Sequence, residues 1–193
     1  MGKALSEMSL EELWELFPII LKEHNPSYKE WYLIEKNEIV NVLGHNSIKR
    51  INHIGSSSVK GLISKPTVDI LLEVDCTCDI EQIKLQLINA GWILMSFECK
   101  PYLNISFNKG YTLNGFDEKV FHLHVRFLGD WNELYFRDYL INHREVAEEY
   151  GKLKQALKDK YEHNRDGYTE AKTEFIMKYT KKAREYFGNI YNL

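Results

Sequence analysis

The chain has 193 residues, of which 44% are hydrophobic and 13% aromatic, enough to build one sizeable core. Its 25 lysines and arginines nearly balance 28 aspartates and glutamates, and a net charge of −3 gives no basic footprint for duplex nucleic acid. The longest apolar run is short and contains a proline, no leader-like segment opens the chain, and the three cysteines have no Cys-x-x-Cys spacing. We therefore expect a cytoplasmic protein with reduced cysteines and no membrane span.

The N-terminal region is predicted to be helical. Ser9 and Glu12 form a capping box, which predicts an amphipathic helix whose apolar residues extend to Leu21. Pro26 then opens a second predicted helix, which ends at Gly44.

The middle of the chain is predicted to form strands, with one helix that Asp79 caps and that ends at Gly91. Asp69 interrupts an otherwise apolar strand, and such a strand is typically buried on both faces. A carboxylate there is costly unless it is paired or binds a metal. In chain order, the predicted strands are RINHI, TVDILLEV, WILMSF, YLNISF and KVFHLHVRFLG.

The C-terminal region is again predicted to be helical, with the segment HNRDG as a break. We expect an α+β fold in one domain, 1–193, in which a small mixed sheet is flanked by N- and C-terminal helices. Its predicted parts are N-terminal helices in 1–48, a sheet core with the site in 49–130, and C-terminal helices in 131–193. The predicted C-terminal helices run from Trp131 to Ile141, from about His143 to Tyr161 and from Gly167 to Phe187.

Residues 54–73 carry the strongest functional pattern, a Gly-Ser loop followed by a strand with an embedded carboxylate. Glycine allows the backbone to approach a ligand closely, and serine hydroxyls and backbone N–H groups can donate to phosphate oxygens. The acid on the strand can hold a hard cation. The pattern predicts a phosphate site made by Gly55, Ser56, Ser57, Ser58 and Asp69.

The run HIGSSSVKGLISKPTVDILLEV resembles the signature of the GrpB family. A second segment, with FHLHVRF, FRDYL and YTEAK in collinear order, resembles the same family, so that the likeness spans roughly residues 25–187. The resemblance implies the nucleotidyltransferase fold of the DNA polymerase beta-like superfamily. It also implies an activity, the transfer of a nucleotidyl group from an NTP to a small molecule or a protein.

By this resemblance Asp69 matches the first catalytic acid, but Leu71 stands where the superfamily has a second one. Residues i and i+2 of a strand point the same way about 6.6 Å apart, which lets two carboxylates share metal ions. Glu73 lies on the same face as Asp69, but four residues span roughly 13 Å, too far to chelate the same ion without a bulge.

His122 and His124 offer a different metal site, because histidines at i and i+2 project from one face of a strand. Together with Asp69 they could hold a divalent metal, Mg²⁺ or Mn²⁺, with Zn²⁺ also possible. The alternatives are that the histidines bind substrate phosphate without metal or that they only form hydrogen bonds within the sheet.

Four cations complete the predicted phosphate site: Lys65, Arg126, Arg137 and Lys172. The two lysines match the family motifs, but each could instead be an ordinary solvated side chain. Arg137 could equally pair with Asp138 or Glu133.

Three functions follow from these residues. The first is metal-assisted nucleotidyl transfer, the second is a non-catalytic module that binds a nucleotide or coenzyme, and the third is a histidine-dependent metal phosphoesterase. All three predict a nucleotide or phosphorylated small molecule as partner, and the sequence leaves the oligomeric state open.

Overall fold

The computed structural model describes residues 3–192. Two short 3₁₀ turns, Leu5–Glu7 and Ser56–Ser58, accompany seven α-helices and five strands within this range. In chain order the elements are α1 Leu10–Leu16, α2 Tyr28–Leu43, β1 Ile48–Ile54, β2 Thr67–Val74, α3 Ile80–Asn89, β3 Ile93–Glu98, β4 Asn104–Thr112, β5 Gly115–Phe127, α4 Asn132–Asn142, α5 Arg144–Tyr161, α6 Arg165–Glu170 and α7 Thr173–Phe187.

The five strands form one sheet in the order β1-β2-β5-β4-β3. β2 and β5 run parallel, whereas the other three neighbouring pairs are antiparallel. The expected α+β class and small mixed sheet are therefore confirmed. β5 lies directly beside β2, so the strand with the two histidines borders the strand with the carboxylate.

The two faces of the sheet differ in composition. One face is the main core, where β2 residues such as Ile70 and Leu72 pack with β5 and with α2 and α3. The opposite face carries the polar residues of β2 and β5, and the C-terminal helices α4, α5 and α7 build a second apolar cluster beside it. This arrangement places a polar sheet face next to a helical wall.

Two predicted helices differ from the observed ones. The first helix ends at Leu16 and does not continue to Leu21, because Pro18 disfavours a helical conformation at Phe17. The last predicted helix is two helices, α6 and α7, and α6 already begins at Arg165 within the predicted break. Within residues 3–192, no helix is both long enough and apolar enough to cross a membrane.

Candidate functional site

The register of β2 and β5 brings the predicted acid and histidines together. Asp69 is paired with His122 and Leu71 with His124 across the parallel ladder, so these side chains share one face. Asp69 and both histidines therefore lie on the same face of the sheet, but they do not line a single pocket, because His122 lines a different cleft from Asp69. A cleft of about 750 Å³ opens over this face, and Asp69, His124 and Ser56 line it.

A glycine is required at position 55, in the turn after β1, because Asp69 on β2 leaves no room for a side chain there. Ile54, the last residue of β1, is paired with Asp69, and Gly55 follows with φ of 70°, in the left-handed region that favours glycine. A Cβ atom at position 55 would overlap the Asp69 carboxylate. The glycine therefore allows the Gly-Ser turn to lie directly against the acid.

Asp69 is held by a hydrogen-bond network that runs across the sheet. Its Oδ1 lies 3.0 Å from His122 Nδ1, and His122 Nε2 lies 2.7 Å from the Tyr111 hydroxyl and 3.1 Å from Arg165 Nη2. Tyr111 and Arg165 can both donate, so the pattern assigns the proton of the ring to Nδ1 and the lone pair to Nε2. In this tautomer His122 donates to Asp69 and accepts from Tyr111 and Arg165.

The pKa shifts of the pair agree with this assignment. Burial lowers the pKa of His122 in spite of the adjacent carboxylate, so the ring is neutral near pH 7. Burial by itself would raise the pKa of Asp69, but the hydrogen bond from His122, with smaller electrostatic contributions from His122, His124 and Lys65, outweighs it and lowers the pKa. Asp69 is therefore ionised, and its partner carries no compensating charge.

Cations surround this carboxylate. Lys154 of α5 is only 3% exposed, and its Nζ donates to Ser56 Oγ at 2.9 Å and to the carbonyl of Ile63. Burial, with repulsion from Lys172 and Lys65, lowers the pKa of Lys154 to about 7. Its ammonium group therefore lies directly behind the Gly-Ser turn.

Lys65 and Lys172 are half-buried members of the same cluster. Burial, with repulsion from Arg165 and Lys172, lowers the pKa of Lys65 to about 7. Burial also lowers the pKa of Lys172 to about 8, although Asp69 opposes this shift. Among residues 3–192, neither Arg165 nor any of the lysines 65, 154 and 172 forms a salt bridge with a carboxylate. We refer to Lys65, Lys154, Arg165 and Lys172 as the cation cluster.

The predicted three-ligand metal site does not fit this arrangement. Both ring nitrogens of His122 are engaged, one with Asp69 and the other with Tyr111 and Arg165. A ligating imidazole needs a free lone pair, and here the lone pair accepts hydrogen bonds. Among the residues that the structure describes, no group of three His, Cys, Asp or Glu side chains is arranged to hold a metal ion.

The other carboxylate on this face does not supply a ligand either. Glu73 is fully buried and accepts from Arg50 through both of its oxygens, at 2.5 and 2.7 Å, and from the Gly129 N–H at 3.1 Å. Leu71, at the position of the missing second acid, is also fully buried and packs with Ile54 and Leu134. Apolar packing therefore separates Asp69 from Glu73.

Several predicted phosphate contacts lie away from this cleft or are already engaged. Ser57 is buried, with its hydroxyl 3.0 Å from His53 Nε2, and the Ser58 hydroxyl donates to the Gly55 carbonyl. Ser56 is thus the serine of the turn that lines the cleft with Asp69.

Both predicted arginines have protein partners. Arg137 lines a separate cleft with Ser57 and Ser58, and it donates to the Asn52 side chain, the His53 carbonyl and Tyr191, besides pairing with Asp138. Arg126 lines the main cleft, but its guanidinium donates to the carbonyls of Ile105 and Val125. The structure therefore corrects the expectation for Arg137, which belongs to the other cleft and not to the cleft over Asp69.

Sequence reasoning missed Lys154, Arg165 and Tyr111. Lys154 had a detectable signal: it occupies a position on the apolar stripe of α5, one turn after the buried residues Tyr150 and Gly151. A lysine on a buried stripe is unusual and suggests a specific role. Arg165 and Tyr111 had no such signal, because only the tertiary fold brings α6 and β4 to His122.

Comparisons with known proteins agree with the motifs. A family model described as GrpB protein matches residues 18–182. The glutamate-rich protein GrpB of Alkalihalophilus pseudofirmus is 33% identical over 162 residues, covering 82% of this chain and 91% of that protein. UPF0157 protein YqkA of Bacillus subtilis is 28% identical over 166 residues, which cover 84% of this chain but only 46% of YqkA.

Solved structures give the same result. The crystal structure of the conserved protein GrpB from Enterococcus faecalis has a TM-score of 0.71 and 27% identity, covering 87% of this chain and 99% of that one. The Cid1 poly(U) polymerase bound to MgATP has a TM-score of 0.42 and 15% identity, covering 76% of this chain and 47% of that one. A likeness this remote carries no argument about activity.

Proposed function

The chain belongs to the GrpB family, and we propose that its site binds a small molecule with a polyphosphate group, such as a nucleotide or a nucleotide coenzyme. The observation that supports this proposal is the cation cluster: its three lysines lie near Asp69, its arginine contacts His122, and within residues 3–192 none of the four forms a salt bridge. Half-buried cations without anionic partners are costly, and a bound polyanion would relieve this cost.

The turn itself is suited to a phosphate group. Lys154 Nζ has three N–H donors, of which two go to Ser56 Oγ and the Ile63 carbonyl, so its charge lies directly beside the serine that lines the cleft. Gly55 has no side chain, so the turn and the Ser56 hydroxyl lie close to Asp69 at the edge of the cleft. Charge-assisted hydrogen bonds of this kind contribute about 1.5–3 kcal/mol each.

The site favours binding over the reactions that the sequence suggested. Two-metal nucleotidyl transfer requires a second carboxylate beside Asp69, but position 71 is a buried leucine and Glu73 is bound to Arg50. A histidine-dependent metal phosphoesterase requires several metal ligands, but His122 has no free lone pair, and within residues 3–192 no group of three His, Cys, Asp or Glu side chains is arranged to hold a metal ion. We therefore propose that the divalent metal predicted from the sequence is not needed for the ligand to bind.

Calorimetry with inorganic tripolyphosphate, with and without Mg²⁺, tests the proposal. We expect Lys154→Met to weaken tripolyphosphate binding about 10- to 100-fold, the loss of one charge-assisted contact, while the protein stays folded. Lys152→Met is the matched control, because Lys152 is on the same helix but exposed. Equal affinity of the two variants, or no binding by the wild type, would contradict the proposal.

A further inference from the structure

A second cleft, of about 600 Å³, adjoins the phosphate site. Its walls come from the N-terminal segment and α1 on one side and from the edge strand β3 on the other, and its floor is formed by β4 and β5. The volume falls within the range of about 300–1,000 Å³ that is typical of small-molecule sites. Apolar side chains dominate the walls, including Leu13, Trp14 and Met95.

The cleft borders the site already described. His122, His124 and Arg165 line it, and His124 also lines the cleft over Asp69. In the sheet register Asp69 is paired with His122, and His122 with Asn108. Neighbouring strands are about 4.8 Å apart, so Asn108 lies roughly 10 Å across the sheet from Asp69. One ligand can therefore reach both places.

The floor of the cleft carries a few polar groups between the apolar walls. Asn108 is only 6% exposed, and its side-chain amide makes no hydrogen bond to any other residue within 3–192. Ser106 and His124, which are paired across β4 and β5, lie on the same face of the sheet. The Asn108 amide is not among the buried polar atoms that lack a partner, so it is open to the cleft, where a ligand with hydrogen-bonding edges can pair with it.

We propose that the polyphosphate ligand is a nucleotide and that its base occupies this cleft, beside Trp14 and within hydrogen-bonding distance of Asn108. The proposal rests on the proposed function for the phosphate end of the ligand. A planar heterocycle matches the cleft because it offers apolar faces to Trp14 and Met95 and polar edges to the floor. An alkyl chain would leave the Asn108 amide unpaired.

Calorimetry with ATP, GTP, CTP, UTP and inorganic tripolyphosphate, at matched metal and salt concentrations, tests the proposal. We expect at least one nucleotide to bind the wild type about tenfold or more tightly than tripolyphosphate. Asn108→Leu, which keeps the number and branching of the side-chain heavy atoms, and Trp14→Leu should each reduce the affinity for that nucleotide to the affinity for tripolyphosphate. Tripolyphosphate binding should stay within about twofold of the wild-type value in both variants. Asn89→Leu, an identical change at an exposed position outside the cleft, is the control.

The outcomes separate the two proposals. If tripolyphosphate binds but no nucleotide binds more tightly, or if both cleft variants keep the preference, the base site is wrong and the phosphate site stands. If neither tripolyphosphate nor any nucleotide binds, both proposals are wrong. Circular dichroism establishes that each variant is folded, and if Asn108→Leu does not fold, Trp14→Leu decides the result.

Discussion

The two ends of β2 each present one carboxylate on the same face of the sheet, yet their surroundings differ. Glu73 has no exposed surface, and its oxygens accept from the guanidinium of Arg50 and from a backbone N–H. Asp69 is partly exposed, is bound to a neutral histidine, and lies among cations that have no carboxylate partner of their own. A satisfied ion pair stabilises a fold, whereas a cluster of cations without carboxylate partners indicates an anionic ligand.

The largest effect on stability is expected at Glu73, the carboxylate that already has an ion-pair partner. Glu73→Gln leaves Arg50 half-buried without its anion, so we expect a loss of roughly 3–5 kcal/mol in the free energy of unfolding. Urea denaturation measures this change. Asp75→Asn, which breaks an exposed pair with Lys49, is the control and should cost far less. A loss no larger than that of the control would show that the Glu73 pair is not structural.

Backbone strain at the Gly-Ser turn gives the next largest effect. Gly55 and Gly61 have similar positive φ angles of 70° and 79°, but a Cβ atom meets the Asp69 carboxylate only at position 55. We expect Gly61→Ala to cost about 1–2 kcal/mol from the left-handed conformation. Gly55→Ala should cost roughly 2–4 kcal/mol, because a steric overlap is added to that strain. Equal denaturation midpoints for the two variants would contradict the close approach of Gly55 to Asp69.

The sequence was informative where local patterns decide the structure. The TVDILLEV run predicted β2 residue for residue, and the alternation of strand side chains placed Asp69, His122 and His124 on one face. The sequence did not predict which cations contact the Gly-Ser turn, because the partners of a long side chain depend on tertiary contacts. Arg137 matched the family pattern but contacts β1 and Tyr191, whereas Lys154, 98 residues from Ser56, contacts the turn.

The charge of the cation cluster should make anion binding depend on pH. The pKa values of Lys65 and Lys154 are about 7 and that of Lys172 about 8, below the 10.5 of a free lysine, so these lysines lose their charge as pH rises through 7–8. Sulfate is a suitable probe because it does not titrate in this range. We expect its affinity to fall about tenfold between pH 6.5 and 9, with proton uptake on binding throughout this range.

The same lysines set the sign of the stability change in the free protein. Between pH 7 and 10 the unfolded chain binds more protons than the folded one. The free energy of unfolding should therefore rise with pH until tyrosines or other groups begin to titrate. A sulfate affinity that is constant from pH 6.5 to 9 would show that the cluster does not contact the anion.

The smallest effect, and the most direct test of Asp69, comes from Asp69→Asn. The amide oxygen of the substituted side chain can still accept from His122 Nδ1, so the fold should be retained, but the charge that repels an anion is gone. A charge–charge term of about 1 kcal/mol, expected for a partly exposed group, corresponds to roughly fivefold tighter binding of tripolyphosphate. A metal ligand would behave in the opposite way, since the variant would lose binding only when Mg²⁺ or Mn²⁺ is present. Titrating tripolyphosphate into both proteins, in EDTA and in each metal, separates the two cases. A metal-dependent loss would restore Asp69 as a metal ligand, and a metal-independent gain would identify it as the counter-charge of the cation cluster.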